Sequence, residues 1–375
     1  MSYHWIRFAK CVISTAAPLG VLAIVLLRHP PEGEIAWAQE PKTNTEAGPP
    51  SYVGRQICAE CHRENFEAHA NHGHSATFFE VKDTNLGEIY AAESFDGGEG
   101  FGTYLYQTTS DGELSVTLRD TDEPSNLPLQ FALGSGHNAQ TLLTLVKGEG
   151  NEGIGLEHRV TCYHGERLGL TVGHVNKTAD TPLERFGDLI DSATLERCIY
   201  CHTTQADLVG DQLKNLVEHV NCEKCHGPGS EHVRFARLSQ SPPPYSVGKQ
   251  DWDTESEIQL CGDCHRLPRS LSTTELREYP DTLTRFQPVG MLMSACYLKS
   301  GRTLRCTTCH DPHQSVHQVS KDHHIKSCTN CHNVDDKSHV ICPVNATSNC
   351  IQCHMPAIDQ TQGIKFHDHW IRVRK

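Results

Sequence analysis

The sequence predicts a mainly α chain with much irregular structure, built around something other than an aliphatic core, and carrying one small β-rich insertion. Three observations lead there. Cysteine and histidine number 18 and 25 in 375 residues, more than packing alone asks of a chain this long. Apolar residues make up 37% of the chain, with a mean hydropathy of -0.47, thin for a domain that must bury a core of this size. Apolar and polar residues alternate between Thr103 and Leu118 on either side of Ser110, Asp111 and Gly112, the pattern of two strands joined where glycine supplies a positive φ.

From the N-terminus, residues 1–38 read as an export signal. Arg7 and Lys10 precede an apolar run from Cys11 to Leu27, and Ala36, Trp37 and Ala38 form an A-x-A cleavage site before Gln39. The run is at the short limit of a membrane span, so retention as an uncleaved anchor is the alternative. Residues 39–51 are polar and proline-rich, a flexible leader. The formal net charge of -13 argues against nucleic acid as a partner and suits either a basic docking protein or a plain solvated surface.

The folded part then divides in two. Residues 52–190 hold one C-x-x-C-H motif followed by the β-rich stretch, in which a second hairpin runs from His158–Tyr163 to Leu168–Val172 through His164, Gly165 and Glu166. A helix is expected over Asp188–Arg197. Residues 191–375 then carry six more motifs, beginning at Cys198, Cys222, Cys261, Cys306, Cys328 and Cys350. The last three start 22 residues apart, a repeat too short to bury an apolar face of its own, so its units must share a core. Pro242, Pro243 and Pro244 mark a loop between the third and fourth motifs of the chain.

The motifs carry the chemistry. They are Cys58/Cys61/His62, Cys198/Cys201/His202, Cys222/Cys225/His226, Cys261/Cys264/His265, Cys306/Cys309/His310, Cys328/Cys331/His332 and Cys350/Cys353/His354. Two intervening residues put both thiols on one side for thioether bonds to haem vinyl groups, and the next residue turns its imidazole to the iron as proximal ligand. Zinc knuckles, disulfides and thioredoxin-like pairs also use C-x-x-C, but none requires a particular residue after the second cysteine. Histidine stands there in all seven, a coincidence with a chance probability on the order of 10⁻⁸ at this histidine content. The cofactors are therefore seven c-type haems, and the fold class becomes a multihaem cytochrome c packed around a haem stack. Thioether formation outside the cytoplasm agrees with an exported, periplasmic or otherwise extracytoplasmic protein.

Distal ligands set the redox range, since methionine raises the potential and histidine leaves it lower. The chain has four methionines, Met1, Met291, Met293 and Met355. Met1 leaves with the signal and Met355 adjoins a proximal histidine, so at most two haems are His/Met and the rest are bis-His or open. Of the remaining cysteines, Cys162, Cys296 and Cys342 are either buried thiols or a disulfide with one thiol over.

These residues resemble the multihaem cytochromes related to the tetrahaem cytochrome that accepts electrons from hydroxylamine oxidoreductase, and related multihaem reductases. The likeness covers most of residues 52–375. It rests on YVGRQICAECH from Tyr52 to His62 with HSATF from His74, CEKCHGPGSEH from Cys222 to His232, SACY from Ser294 with CTTCHDPH from Cys306 to His313, and CIQCHMP from Cys350 with DHW from Asp368. By position, the resemblance implies His74, His232, His313, His339 and His369 as distal ligands, with His137 a further candidate. It implies no haem-to-haem pairing. His69, His72, His174, His219, His317, His323 and His324 stay in reserve.

Two functions stand open. One is electron transfer between redox partner proteins along closely packed, mostly bis-His, low-potential haems, where the protein supplies ligands, spacing and dielectric. The other is reduction or oxidation of a small nitrogen or sulfur compound such as hydroxylamine or nitrite at one open iron. The resembling reductases mark their catalytic haem with C-x-x-C-K, and this chain has none. The hydroxylamine oxidoreductase class instead ties an ordinary haem to a tyrosine, for which Tyr163, Tyr200 and Tyr297 are available. A retained N-terminal segment would make the chain a membrane-tethered quinol dehydrogenase.

Overall fold

A computed structural model describes residues 49–374 apart from 120–125, 149, 151, 239–251, 279–281 and 337. The export signal and all but the end of the leader lie outside the described residues, as does the proline-rich loop at 242–244. Among the described residues no helix is long and apolar enough to cross a membrane.

The fold opens with two short helices, Arg55–Ala59 and Arg63–Ala70, with the first motif spanning the joint between them. A β region comes next. Its larger sheet has six strands, and the path runs Phe78–Glu80, Phe131–Leu133, Ala139–Lys147, Gly153–Tyr163 and Gly187–Ile190, with Arg167–Leu170 paired to Gly153–Tyr163 off that path. A second sheet orders Phe95–Asp96, Thr103–Thr108, Leu114–Leu118 and Leu127–Leu129. All these pairings are antiparallel. Alternation is the cause: in Leu114–Leu118 every second residue is buried, as a strand with one covered face requires. Tyr90, Tyr104, Val116, Leu142, Leu156 and Val160 are fully buried in the core that results.

Both hairpins read from the sequence are present. Thr103–Thr108 pairs with Leu114–Leu118. Gly112 there has φ 83°, and a Cβ on it would sit 2.6 Å from the Lys82 carbonyl oxygen, so only glycine closes this turn. In the second hairpin Tyr163 pairs with Arg167 and Val160 with Leu170, and the return strand ends at Leu170, two residues short of the expectation. The helix expected over 188–197 starts later. Gly187–Ile190 is a strand paired with Gly155–His158, and the helix is Ser192–His202. Asp191, whose carboxylate accepts the Thr194 N–H at 2.7 Å, is the cap that sets the start.

Beyond this point the elements are short: five-residue helices at Cys222–His226, Thr273–Arg277, Ala295–Lys299 and Cys350–His354, none of the helices longer than Thr254–His265, and two-stranded sheets at Thr203–Val209/Gln212–Glu218 and Ala357–Asp359/Lys365–His367. Two small clusters hold Ile258, Leu267 and Met291, and Leu271, Leu283 and Val289. Among the described residues the buried apolar set ends at Met291, while Val344 is 91% exposed. Among the described residues, the stretch with the last three motifs has no aliphatic core of its own.

Candidate haem sites

The seven motifs share a local geometry. Five consecutive residues make one helical turn, alone in Cys222–His226 and Cys350–His354, or as the end of a longer helix in Ser192–His202 and Thr254–His265. In the other three, the His N–H closes on the carbonyl of the first cysteine: His62 to Cys58 at 2.8 Å, His310 to Cys306 at 3.0 Å and His332 to Cys328 at 2.9 Å. Such a turn brings residues i, i+3 and i+4 to one face, which is where two thioethers and a proximal nitrogen are needed.

Each of five motif histidines faces a second imidazole. His62 and His232 have ring centres 6.2 Å apart, His265 and His74 6.1 Å, His226 and His313 6.2 Å, His310 and His369 6.1 Å, and His332 and His339 5.8 Å. Imidazole nitrogen binds a metal at about 2 Å and the ring centre lies roughly 1 Å behind it, so two imidazoles sharing one iron hold their centres roughly 6 Å apart. The residues fit the group. His137 does not join this set: its ring centre lies 4.4 Å from that of His317, too close to leave room for a metal between them. His324 approaches His310 as well, at 5.8 Å.

Carbonyl groups fix several of these rings. Nδ1 of His202 donates to the Thr77 carbonyl at 3.0 Å, that of His332 to Val340 at 2.9 Å, that of His354 to Arg372 at 3.0 Å and that of His369 to His367 at 2.9 Å. A carbonyl can only accept, so Nδ1 carries the proton and Nε2 is left as the ligand atom. Burial keeps the rings neutral: it lowers His74 to about 3 and His310 to about 4, and pushes His202, His226, His265 and His369 down as well.

Thiols of different motifs lie beside one another. Cys58 and Cys222 interact directly, which raises the first and lowers the second to about 7; the same holds for Cys264 and Cys201, in that order. Cys261 meets Cys306, which is raised while Cys261 is lowered. Burial first, and neighbouring thiols second, raise Cys225 to about 11 beside Cys261, Cys328 to about 12 beside Cys350, and Cys309 near Cys296 and Cys331. Numbered in chain order, the motifs thus adjoin as 1–3–4–5–6–7, with motif 2 branching from motif 4.

Cys61, Cys331 and Cys353, each the second cysteine of its motif, are exposed. Cys331 belongs to motif 6, inside the series, and Cys61 and Cys353 belong to the motifs at its ends. Motifs 1 and 7 are its two ends and have a neighbour on one side alone. In each, the first cysteine takes that side, Cys58 against Cys222 and Cys350 against Cys328, and the second is left at the outer edge. Exposure is compatible with attachment, since a thioether to a vinyl at a porphyrin rim needs no enclosed sulfur.

Sequence reasoning missed two carboxylates. Glu223, inside the third motif and 4% exposed, accepts the N–H groups of Val53 and Gly54 at 2.9 Å and of Gly229 at 2.8 Å. Glu257, one turn ahead of the fourth motif and 3% exposed, accepts the Thr307 N–H and hydroxyl at 2.9 Å inside the fifth, with Arg305 at 3.6 Å. Nothing in their local sequence separates them from surface glutamates. Cys162, Cys296 and Cys342 are free thiols. Tyr163 and Tyr200 are engaged elsewhere, Tyr163 donating to the Leu170 carbonyl and Tyr200 lying under the Lys224 ammonium.

A family model described as cytochrome c554 and c-prime matches residues 172–227, a segment that contains the second motif and the third. No curated protein matches the chain. The solved structure of the outer cell wall cytochrome OcwA is similar to it, with 15% identity and a TM-score of 0.47, covering 86% of this chain and 79% of that one. The family match over two motifs, whose geometry the other five repeat, supports a multihaem c-type cytochrome that binds haem covalently and transfers electrons.

Proposed function

We propose that this chain is an exported heptahaem cytochrome that passes electrons between redox partner proteins along closely neighbouring, mostly bis-His haems. One observation carries the reading: His62, His265, His226 and His310 each face a histidine at least 59 residues away in sequence, at 6.1 to 6.2 Å. A shared iron accounts for that spacing recurring in four pairs so distant in sequence. A bound haem supplies a one-electron iron couple, held low by two histidines. The chain's own part is to anchor the group through paired cysteines, to aim Nε2 by carbonyl bonds to Nδ1, and to set the order of neighbours by placing cysteines of different motifs side by side. The lack of an aliphatic core after Met291 supports a fold wrapped around a haem stack. The hydroxylamine-linked family remains a resemblance carried by the signatures around His74, His232, His313 and His369.

The test is the mature protein's intact mass and its electron paramagnetic resonance spectrum. Seven haem additions and low-spin ferric signals for at least five haems are expected; fewer than seven haems, or a spectrum dominated by high-spin iron, overturns the reading.

A second reading has a specific observation behind it. Among the described residues, no second imidazole makes a ring contact with His202 or His354. At the His202 motif, which branches from motif 4 rather than continuing the series, an open iron would accept a small nitrogen compound. A high-spin signal that shifts on adding nitrite or hydroxylamine would establish that enzyme, and its absence would leave the carrier alone.

A further inference from the structure

Glu223 and Glu257 share a placement that the anchoring and ligation of haem do not use. Each is an almost fully buried carboxylate that links the surroundings of two motifs: Glu223, inside motif 3, is bonded to Val53 and Gly54 just before Cys58 of motif 1, and Glu257, one turn ahead of motif 4, is bonded to Thr307 of motif 5. These are two of the pairs whose thiols interlock, Cys58 with Cys222 and Cys261 with Cys306. Every atom bonded to Glu223 is an N–H donor, and the atoms bonded to Glu257 are an N–H, a hydroxyl and a nearby guanidinium. A protonated Glu223 would need an acceptor for its own O–H, and none is bonded to it; at Glu257, where the Thr307 hydroxyl could accept one, the Arg305 guanidinium at 3.6 Å favours the anion. Both therefore sit as anions. Other formal charges lie close by: Arg55, which lies over the Phe66 ring and acts on Cys222, Lys224 beside Glu223 inside motif 3, Asp263 inside motif 4, and Arg305, which is half-exposed. Solvent screens those cations more than it screens the buried carboxylates.

We propose that Glu223 and Glu257 are potential-setting residues: each holds down the reduction potential of the two haems whose motifs it joins, Glu223 for motifs 1 and 3 and Glu257 for motifs 4 and 5. Adding an electron to an iron next to a buried anion is disfavoured by their Coulomb repulsion in a low-dielectric site. The inference rests on the heptahaem reading.

Spectroelectrochemical titration of the full holoprotein with E223Q and E257Q tests it, after haem counting by intact mass on each variant. A wild-type count short of haems at these motifs defeats the heptahaem reading and leaves the inference without its object. With all seven haems present, E223Q is expected to move two of the one-electron steps to higher potential, and E257Q to move a different two, while the remaining steps stay in place. Unmoved steps in both variants, or the same uniform shift of all seven, overturn the proposal. If E223Q does not accumulate as folded protein, E257Q carries the test on its own pair; failure of both to fold assigns these carboxylates to structure alone and overturns it equally.

Discussion

Single side chains decide more here than their number suggests. His158 is fully buried in the β region, and its Nδ1 donates to the Phe186 carbonyl at 2.7 Å, so Nε2 accepts the Tyr106 hydroxyl at 2.9 Å. Burial lowers it to about 3, against about 6.5 in an unfolded chain. Below pH 6.5 the unfolded state takes up a proton that the folded state refuses. The contribution is therefore complete above that pH and is lost on acidification toward 3, at up to about 1.4 kcal/mol per unit. Denaturant unfolding at pH 6 and pH 4 should show a smaller loss of stability in His158→Asn than in the wild type; equal losses would remove His158 from the account. The facing imidazoles make a second prediction. His226 and His313 are nearly coplanar at 7°, whereas His332 and His339 stand at 79°. Near-perpendicular ligand planes leave the iron orbitals close to degenerate, so the spectrum should contain a large-gmax low-spin species alongside ordinary rhombic ones. His339→Ala should abolish that species and leave the signal of the coplanar pair intact. The motifs themselves were fully legible in the sequence, because thioether attachment is a local requirement. The partners of His62 and His265 were not, since His232 and His74 lie 170 and 191 residues away and only the fold brings them back.

Elements show the same division between local and distant causes. The hairpin at Thr103–Leu118 is legible because alternation and Gly112 are written into adjacent residues. The strand Gly187–Ile190 reads locally as the start of a helix because its partner, Gly155–His158, lies 29 to 35 residues back, and nothing nearby distinguishes the two. Helix Ser192–His202 is the element that joins the β region to the haem motifs. Leu195 is fully buried in a cluster with Leu143, Leu145 and Ile199, and the helix ends on Cys198, Cys201 and His202. Leu195→Ala should cost about 2–5 kcal/mol, the range for emptying a buried leucine site, read as a lower midpoint in denaturant. Because the turn Cys198–His202 keeps its own backbone bonds, the haem count should stay unchanged. A variant as stable as the wild type would mean that the helix is held by its motif and not by the sheet.

At the scale of the whole molecule the two halves differ in what fills them. The β region between Phe78 and Ile190 packs a contiguous set of aromatic and aliphatic side chains, enough apolar area to drive collapse without help. From residue 292 to 374 the described residues offer no buried apolar side chain, yet this stretch contains three motifs and the helices Lys321–Thr329 and Cys350–His354. Short helices are marginal in water when nothing packs against them, and backbone ordering costs roughly 1–2 kcal/mol per residue. On the proposed heptahaem reading their order comes from the group the cysteines hold. Chain produced without haem attachment should therefore be half-folded. Hydrogen exchange is expected to find slow amides in the strands Ala139–Lys147 and Gly153–Tyr163, and exchange near the unfolded rate across 292–374. Once haem is attached, the same C-terminal amides should become protected. Slow exchange there in the haem-free chain would show that the polypeptide supplies a core of its own, and would remove the physical ground for a fold built around a haem stack.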